Sequence, residues 1–285
     1  MRTLLLKQDF NLRHTLECGQ FFRWEKVGDW YYVVARDTLM KVRQEGNALQ
    51  YSSNPDRASE FVSGLFRLDD DLDKIRREIS KDGTMKRATS TFRGMRLMRQ
   101  EPFECLISYV CSANSAIPCI RIKLNKMSEL YGGRVELDGY STFTFPRPEA
   151  LARASVAHMR RHRLGFHSDY IKEVAQLVES GDIDLSALSQ LRYEDAKGEL
   201  LRTFGGKGVG EKVADCTLLF SLDKLEAFPI DVWVERAMRE TYFGGKKVAR
   251  RDISSFAREY FGRYAGYAQE YLYHYRRGDA KEACR

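Results

Sequence analysis

Clustered thiols are missing from this chain. Its six cysteines, Cys18, Cys105, Cys111, Cys119, Cys216 and Cys284, are scattered without a C-x-x-C pair. That excludes a metal or iron–sulfur site built on neighbouring thiolates, and it fits a reducing interior better than a disulfide framework. Long apolar runs are missing too. Leu4-Leu5-Leu6 is followed at once by Lys7, Gln8 and Asp9, far too short for a signal core or a membrane span. A soluble intracellular protein is expected, in the cytoplasm or nucleoid, or in the nucleus of a eukaryote. There is no internal repeat and no low-complexity tract. What the chain does have is length and basic charge. Its 285 residues suffice for one large domain or two ordinary ones, with a hydrophobic content of 43% that is normal for a globular protein. Lys+Arg 47 against Asp+Glu 40 gives +7 and a pI near 9.0, a balance that favours a polyanionic partner without requiring one.

The pattern predicts an α+β fold: an N-terminal antiparallel β-sheet packed on a mostly helical remainder. Short aromatic and β-branched runs at Gln20–Lys26, Asp29–Arg36, Leu39–Gln44 and Ala48–Ser52 read as strands, with turns at Gly28 and Gly46. The pattern turns helical near Pro55, and a domain boundary is placed at about residue 80, giving regions 1–80 and 81–285. Helices are expected from Asp70 to Ile79, after Pro102, over Ile117–Leu130, Glu149–Ala154 and Tyr170–Glu179, and then as far as the C-terminal Ala265–Arg276. From Asp82 onward nearly everything has helical period.

One stretch organises the rest. Phe204-Gly205-Gly206-Lys207-Gly208-Val209-Gly210-Glu211-Lys212 reads as the turn of a helix–hairpin–helix spanning about 196–220, with four glycines within six residues. A helix starting after such a turn points unpaired N–H groups outward, a ready seat for phosphate. Lys212 stands at that start, where the positive end of the helix disfavours its ammonium form. Nineteen positions later Asp231 follows Pro229-Ile230, a common helix N-cap setting. An amine in that position suits Schiff-base chemistry, and a nearby carboxylate can manage charge and protons. From spacing alone, a surface lysine beside a structural turn explains the same residues equally well.

The stretch Gly208-Val209-Gly210-Glu211-Lys212-Val213-Ala214-Asp215-Cys216, with Pro229-Ile230-Asp231-Val232, resembles the helix-hairpin-helix base-excision glycosylases, most closely the 8-oxoguanine DNA glycosylase/lyase branch. Cys18-Gly19-Gln20-Phe21-Phe22-Arg23-Trp24, the run from Glu101 to Asn114, and Tyr264-Ala265-Gly266-Tyr267-Ala268-Gln269 resemble further motifs of that family in the same order. The resemblance implies a glycosylase with AP lyase activity. Such an enzyme flips the damaged base out of duplex DNA, because its reacting atom is out of reach inside the stack.

It also implies residue roles. Lys212 would attack the sugar, and Asp231 would stabilise the charge that develops there. Gly19 would offer its carbonyl to the N7–H that 8-oxoguanine has and guanine lacks. Gln269 would bond the Watson–Crick edge, Cys216 and Tyr273 would sandwich the ring, and Phe220 would line the same pocket. Backbone N–H groups around Gly206, Gly208 and Gly210 would hold phosphates. Asn114 would fill the gap left by the flipped base. No metal or cofactor is implied beyond a monovalent cation on hairpin carbonyls, which no side-chain motif demands. A monomer acting on double-stranded DNA containing oxidised guanine follows, with no membrane and no iron–sulfur cluster. Taken singly, Gly19 reads as a strand bulge, Cys216 and Phe220 as core, and Gln269 as a solvated helix residue.

Three features depart from the family pattern. Cys119 and His167 occupy positions where strict cytosine readers carry arginines, and neither can make a bidentate donor contact, so relaxed opposite-base preference is expected. Phe166, beside His167, reads as a wedge between bases or as core. Lys207 replaces a proline in the hairpin and offers a phosphate contact, while Trp233 stands where relatives carry a phosphate-binding histidine. The alternatives are a sister glycosylase for alkylated purines or oxidised pyrimidines, and a DNA-binding module without catalysis.

Overall fold

The computed structural model describes residues 1–282, so Cys284 lies outside the described residues. The fold is α+β. Strand β1 (Arg2–Leu5) and a short helix α1 (Leu12–Glu17) precede β2 (Trp24–Val27), β3 (Trp30–Ala35), β4 (Thr38–Glu45) and β5 (Ala48–Asn54). The five strands form one antiparallel sheet in the order β1-β5-β4-β3-β2. Tight hairpins join β2 to β5, and β1 then pairs with the outer edge of β5, Leu4 opposite Leu49.

Both faces of β3 are buried, which accounts for its unbroken apolar run. Tyr31, Val33 and Ala35 face a core shared with Leu12 and Leu16 of α1. Tyr32 and Val34 face the other way, under a second hairpin formed by β6 (Arg134–Leu137) and β7 (Tyr140–Phe143). The Tyr32 and Tyr140 rings stack there at 4.2 Å. Helical period had been expected from Asp82 onward. The β6–β7 hairpin breaks that expectation, although Asp138-Gly139 between its strands is a recognised hairpin turn.

Helices α2 (Ser59–Leu65), α3 (Leu72–Ile79), α4 (Gly83–Thr91), α5 (Pro102–Val110) and α6 (Ile117–Tyr131) follow the sheet. After the β6–β7 hairpin come α7 (Pro148–Arg153), α8 (Val156–Arg161) and α9 (His167–Glu179). A short 3-10 turn at Ala187–Gln190 leads to α10 (Tyr193–Phe204) and α11 (Glu211–Ser221), the two arms of the hairpin. Helices α12 (Val232–Tyr242), α13 (Arg250–Phe261) and α14 (Ala265–Glu282) complete the described chain. Their apolar faces form one large core, to which α3, α4 and α5 also contribute. Within it α11 packs on α5, and α14 packs between α12 and α4.

The expected strand Gln20–Lys26 is regular only from Trp24. Side chains hold the preceding residues in an irregular loop instead. Gln20 Nε2 donates to the carbonyls of Thr15 and Arg96, and Gln20 Oε1 accepts from Met98 N at 2.8 Å. The Gln20 carbonyl accepts from Gln100 Nε2 and from the Tyr109 hydroxyl. A buried loop is tolerable because its polar groups are bonded in this way. Gly19, next to Gln20, is thereby fixed over the helical core.

Candidate active site

The hairpin turn places Lys212 in the first turn of α11, whose N-cap, Gly210, supplies no side-chain hydrogen bond. The N–H groups of that turn therefore remain open to an outside acceptor. Gly208 has φ +81, and a Cβ there would lie 2.9 Å from the Tyr170 ring, so both conformation and space call for glycine. Lys207 Nζ folds back onto the Thr203 carbonyl at 3.3 Å. The Leu201, Thr203 and Phe204 carbonyls at the end of α10 already accept hydrogen bonds. Among the described residues no group of three or more His, Cys, Asp and Glu side chains is placed to hold a metal ion.

Asp231 is the N-cap of α12. Its Oδ1 accepts from Trp233 N at 2.9 Å and Val234 N at 2.8 Å, so capping uses a single oxygen of the carboxylate. Lys212 and Asp231 line one cleft of about 870 Å³. Gly19, Asn114, Gly208, Gly210, Cys216, Phe220, Trp233, Gln269 and Tyr273 line it as well. The chain thus brings most of the sequence-derived set together from five separate segments.

Around the lysine the setting is specific. Lys212 Nζ donates to Ser112 Oγ at 2.7 Å and lies 4.8 Å from the centroid of the Tyr109 ring. Tyr109 in turn stacks on Phe220 at 5.5 Å with the rings nearly parallel. Cys216, one helical turn beyond Lys212, is 3% exposed. Burial pushes its thiol up to about 12, against the pull of Lys212, so it is a neutral packing surface at working pH. Gln269 is 6% exposed with Oε1 unbonded, which rules out a solvated helix residue. Gly19 has φ +113, and a Cβ there would meet Arg277 Nη1 at 2.6 Å and Ile117 Cδ1 at 2.8 Å.

Five residues of the set do not line the cleft: Cys119, Phe166, His167, Gly206 and Lys207. Cys119 is exposed on α6. Phe166 is 54% exposed and stacks on His167 at 3.9 Å. His167 is only 1% exposed. Its Nε2 pairs with the Ala113 carbonyl at 3.0 Å and its Nδ1 lies 3.3 Å from Lys123 Nζ. Burial lowers its affinity for a proton, so a neutral ring donates from Nε2 and accepts at Nδ1. It therefore braces the loop that carries Asn114, a residue in the left-handed region at φ +51. Sequence reasoning assigned no role to Ser112, Tyr109, Glu270 or Arg277. The first two lie inside the Glu101–Asn114 motif, and only the packing of α5 on α11 turns them toward the lysine.

A sheet docked on a helical core, with a hairpin lysine and a capping aspartate sharing one cleft, is the layout of the helix-hairpin-helix base-excision glycosylases. Residues 3–106 match the family model of the 8-oxoguanine DNA glycosylase N-terminal domain. An N-glycosylase/DNA lyase of Arabidopsis thaliana is 30% identical over 94% of this chain and 78% of its own. One from Saccharomyces cerevisiae is 29% identical over 83% of this chain and 69% of its own. The Clostridium acetobutylicum 8-oxoguanine glycosylase/lyase, solved with double-stranded DNA containing cytosine opposite 8-oxoguanine, superposes with a TM-score of 0.89 at 31% identity. That match covers 98% of this chain and 99% of the clostridial one. The chain belongs to the 8-oxoguanine DNA glycosylase family.

Proposed function

We propose that the protein is a bifunctional DNA glycosylase and AP lyase that extrudes 8-oxoguanine from duplex DNA, excises it and cuts the strand. The observation that carries this reading is the shared cleft: Lys212 and Asp231 line the same space as Gly19, Gln269, Cys216 and Tyr273. In the neutral form, Lys212 Nζ forms a bond to the sugar C1′ as the bond from C1′ to the base breaks, and the base leaves with the electron pair. Asp231 stabilises the positive charge that grows on the sugar in that step. Loss of a proton from the attached nitrogen and opening of the sugar ring give a Schiff base. Removal of a C2′ proton then expels the 3′ phosphate by β-elimination.

Hairpin N–H groups around Gly206, Gly208 and Gly210 hold backbone phosphates whatever the sequence. Gly19 accepts from N7–H, a donor that guanine lacks, and a site built for a donor rejects the analogue without it strongly. A thiol at Cys119 has a single weak donor and the His167 ring is buried against the Ala113 carbonyl, so neither supplies a two-pronged contact to the opposite cytosine, and preference for that base is relaxed. The protein acts as a monomer inside the cell.

Borohydride trapping tests the reading. Lesion duplex incubated with the protein and borohydride should give a covalent adduct that disappears in Lys212→Gln. Trapping only on alkylated-purine or oxidised-pyrimidine duplexes would move the activity to another lesion, and DNA binding without any adduct would refute catalysis.

A further inference from the structure

Three buried polar atoms of the cleft residues make no hydrogen bond of ordinary length: Gln269 Oε1, Glu270 Oε1 and Arg277 Nη1. All belong to α14. Two are acceptors and one is a donor. Leaving such groups unpaired in a folded protein is costly, so the set marks a place that a ligand completes. Gln269 already has a role in the proposed function. Glu270 has none.

Glu270 is 3% exposed. The neighbouring Cys18 thiol faces Glu270 as a weak donor, but its short hydrogen bond goes to the Thr15 carbonyl at 3.3 Å, and Oε1 keeps no hydrogen bond of ordinary length. Charged groups approach from two sides: Arg277 from α14 itself and Asp231 from the start of α12. Burial outweighs the opposing pull of the Cys18 thiol and of Arg277 and holds the carboxyl up to about 7, so at neutral pH the acceptor form is well populated.

Arg277 shows what kind of group this corner receives. Its Cζ lies 5.4 Å from the centroid of the Tyr273 ring, and its Nη2 donates to the Glu17 carbonyl at 2.9 Å. Its Nη1 fills the space beside Gly19, where a Cβ would sit only 2.6 Å away. A flat group carrying several N–H donors thus rests by an aromatic face next to Gly19, and its Nη1 still finds no acceptor.

We propose that Glu270 is a specificity-determining residue of the base pocket, accepting a hydrogen bond from an extruded purine whose edge is rich in N–H donors, while the purine displaces the Arg277 guanidinium from beside Gly19. This rests on the proposed function and deepens it. 8-Oxoguanine carries N–H at N1, N7 and the exocyclic N2. With Gly19 taking N7–H and Gln269 taking N1–H, the N2–H is left over, and Glu270 Oε1 is the pocket acceptor without a hydrogen bond of ordinary length. An adenine-type edge has no amino group at C2 and would leave Glu270 unserved.

The test compares single-turnover excision of 8-oxoguanine and of 8-oxohypoxanthine, which lacks the N2 amino group, from otherwise identical duplexes. Glu270→Met removes the acceptor at similar volume, and Glu270→Gln keeps one. The preference for 8-oxoguanine over 8-oxohypoxanthine should shrink at least about fivefold in Glu270→Met and stay within about twofold of wild type in Glu270→Gln. Glu270→Ala gives the same comparison if the thioether does not fit. Equal slowing of both substrates, or no change in either, overturns the proposal while normal wild-type excision leaves the proposed function standing. Failure of the wild-type protein to excise 8-oxoguanine at all removes both.

Discussion

Lys212 Nζ donates to Ser112 Oγ at 2.7 Å, and Ser112 passes its own proton to the Tyr109 carbonyl at 2.6 Å. With its hydrogen committed to a carbonyl, the serine can only accept from the lysine. One N–H of the amine is therefore tied down, and in the neutral form the lone pair must point elsewhere, away from Ser112. Ser112→Ala releases that constraint. Single-turnover excision should fall about tenfold, the loss of roughly one hydrogen bond, with Ser112→Thr restoring most of it. Equal rates for wild type and Ser112→Ala would show that the bond orients nothing.

Asp231 carries two loads, and substitutions separate them. Asparagine caps a helix as well as aspartate does but brings no charge. Asp231→Asn should therefore keep the wild-type melting temperature and lose about a hundredfold in single-turnover excision. Asp231→Ala should lose the activity and also about 1 kcal/mol of stability with the cap. A fully active Asp231→Asn would leave the carboxylate with a structural role only.

How far the sequence could be read depended on how each residue is held. Helices such as α5, α9 and α12 were legible because their apolar faces repeat with helical period and Pro102 and Asp231 mark starts. Strand β1 was not, because Arg2, Thr3 and Leu5 are exposed at the sheet edge and show no alternation. Helix α1 has six residues, too few to establish a period. Phe21 and Phe22 look like strand residues, yet the bonds around Gln20 keep them in a loop, since side-chain partners distant in sequence outweigh local β preference. The chemistry-bearing pair Lys212 and Asp231 was visible from motif and spacing. Ser112 and Glu270 were not, because a serine after a helix and a glutamate within one look solvated until packing buries them. His167 was visible as a departure from the family, but its burial against Ala113 was not.

The opposite strand provides another measurable consequence. Asn114 enters the cleft from a loop braced by His167, and no arginine side chain stands at Cys119. Excision from duplexes with C, A, G or T opposite the lesion should span less than about fivefold, below what a bidentate arginine contact of ~1–3 kcal/mol would impose. Cys119→Arg should widen the span in favour of cytosine. A strong cytosine preference in the wild-type protein would contradict the relaxed reading.

Glu270 also predicts a pH-dependent stability. Its carboxyl is held up to about 7 in the folded protein by burial, while in the unfolded chain it titrates as an ordinary glutamate. Between those two values the folded state holds the extra proton, so raising the pH favours unfolding, and the penalty is complete above about 7. Glu270→Gln removes the ionisation without changing the shape. Its melting temperature should match wild type at about pH 4 and exceed it by several degrees at about pH 8. Thermal melts of the two proteins across that range decide the matter, and parallel curves with a constant offset would mean that the carboxyl does not titrate in the fold. A stability gain at pH 8 in Glu270→Gln together with a loss of lesion discrimination in Glu270→Met would place Glu270 among residues kept for binding at the expense of the fold.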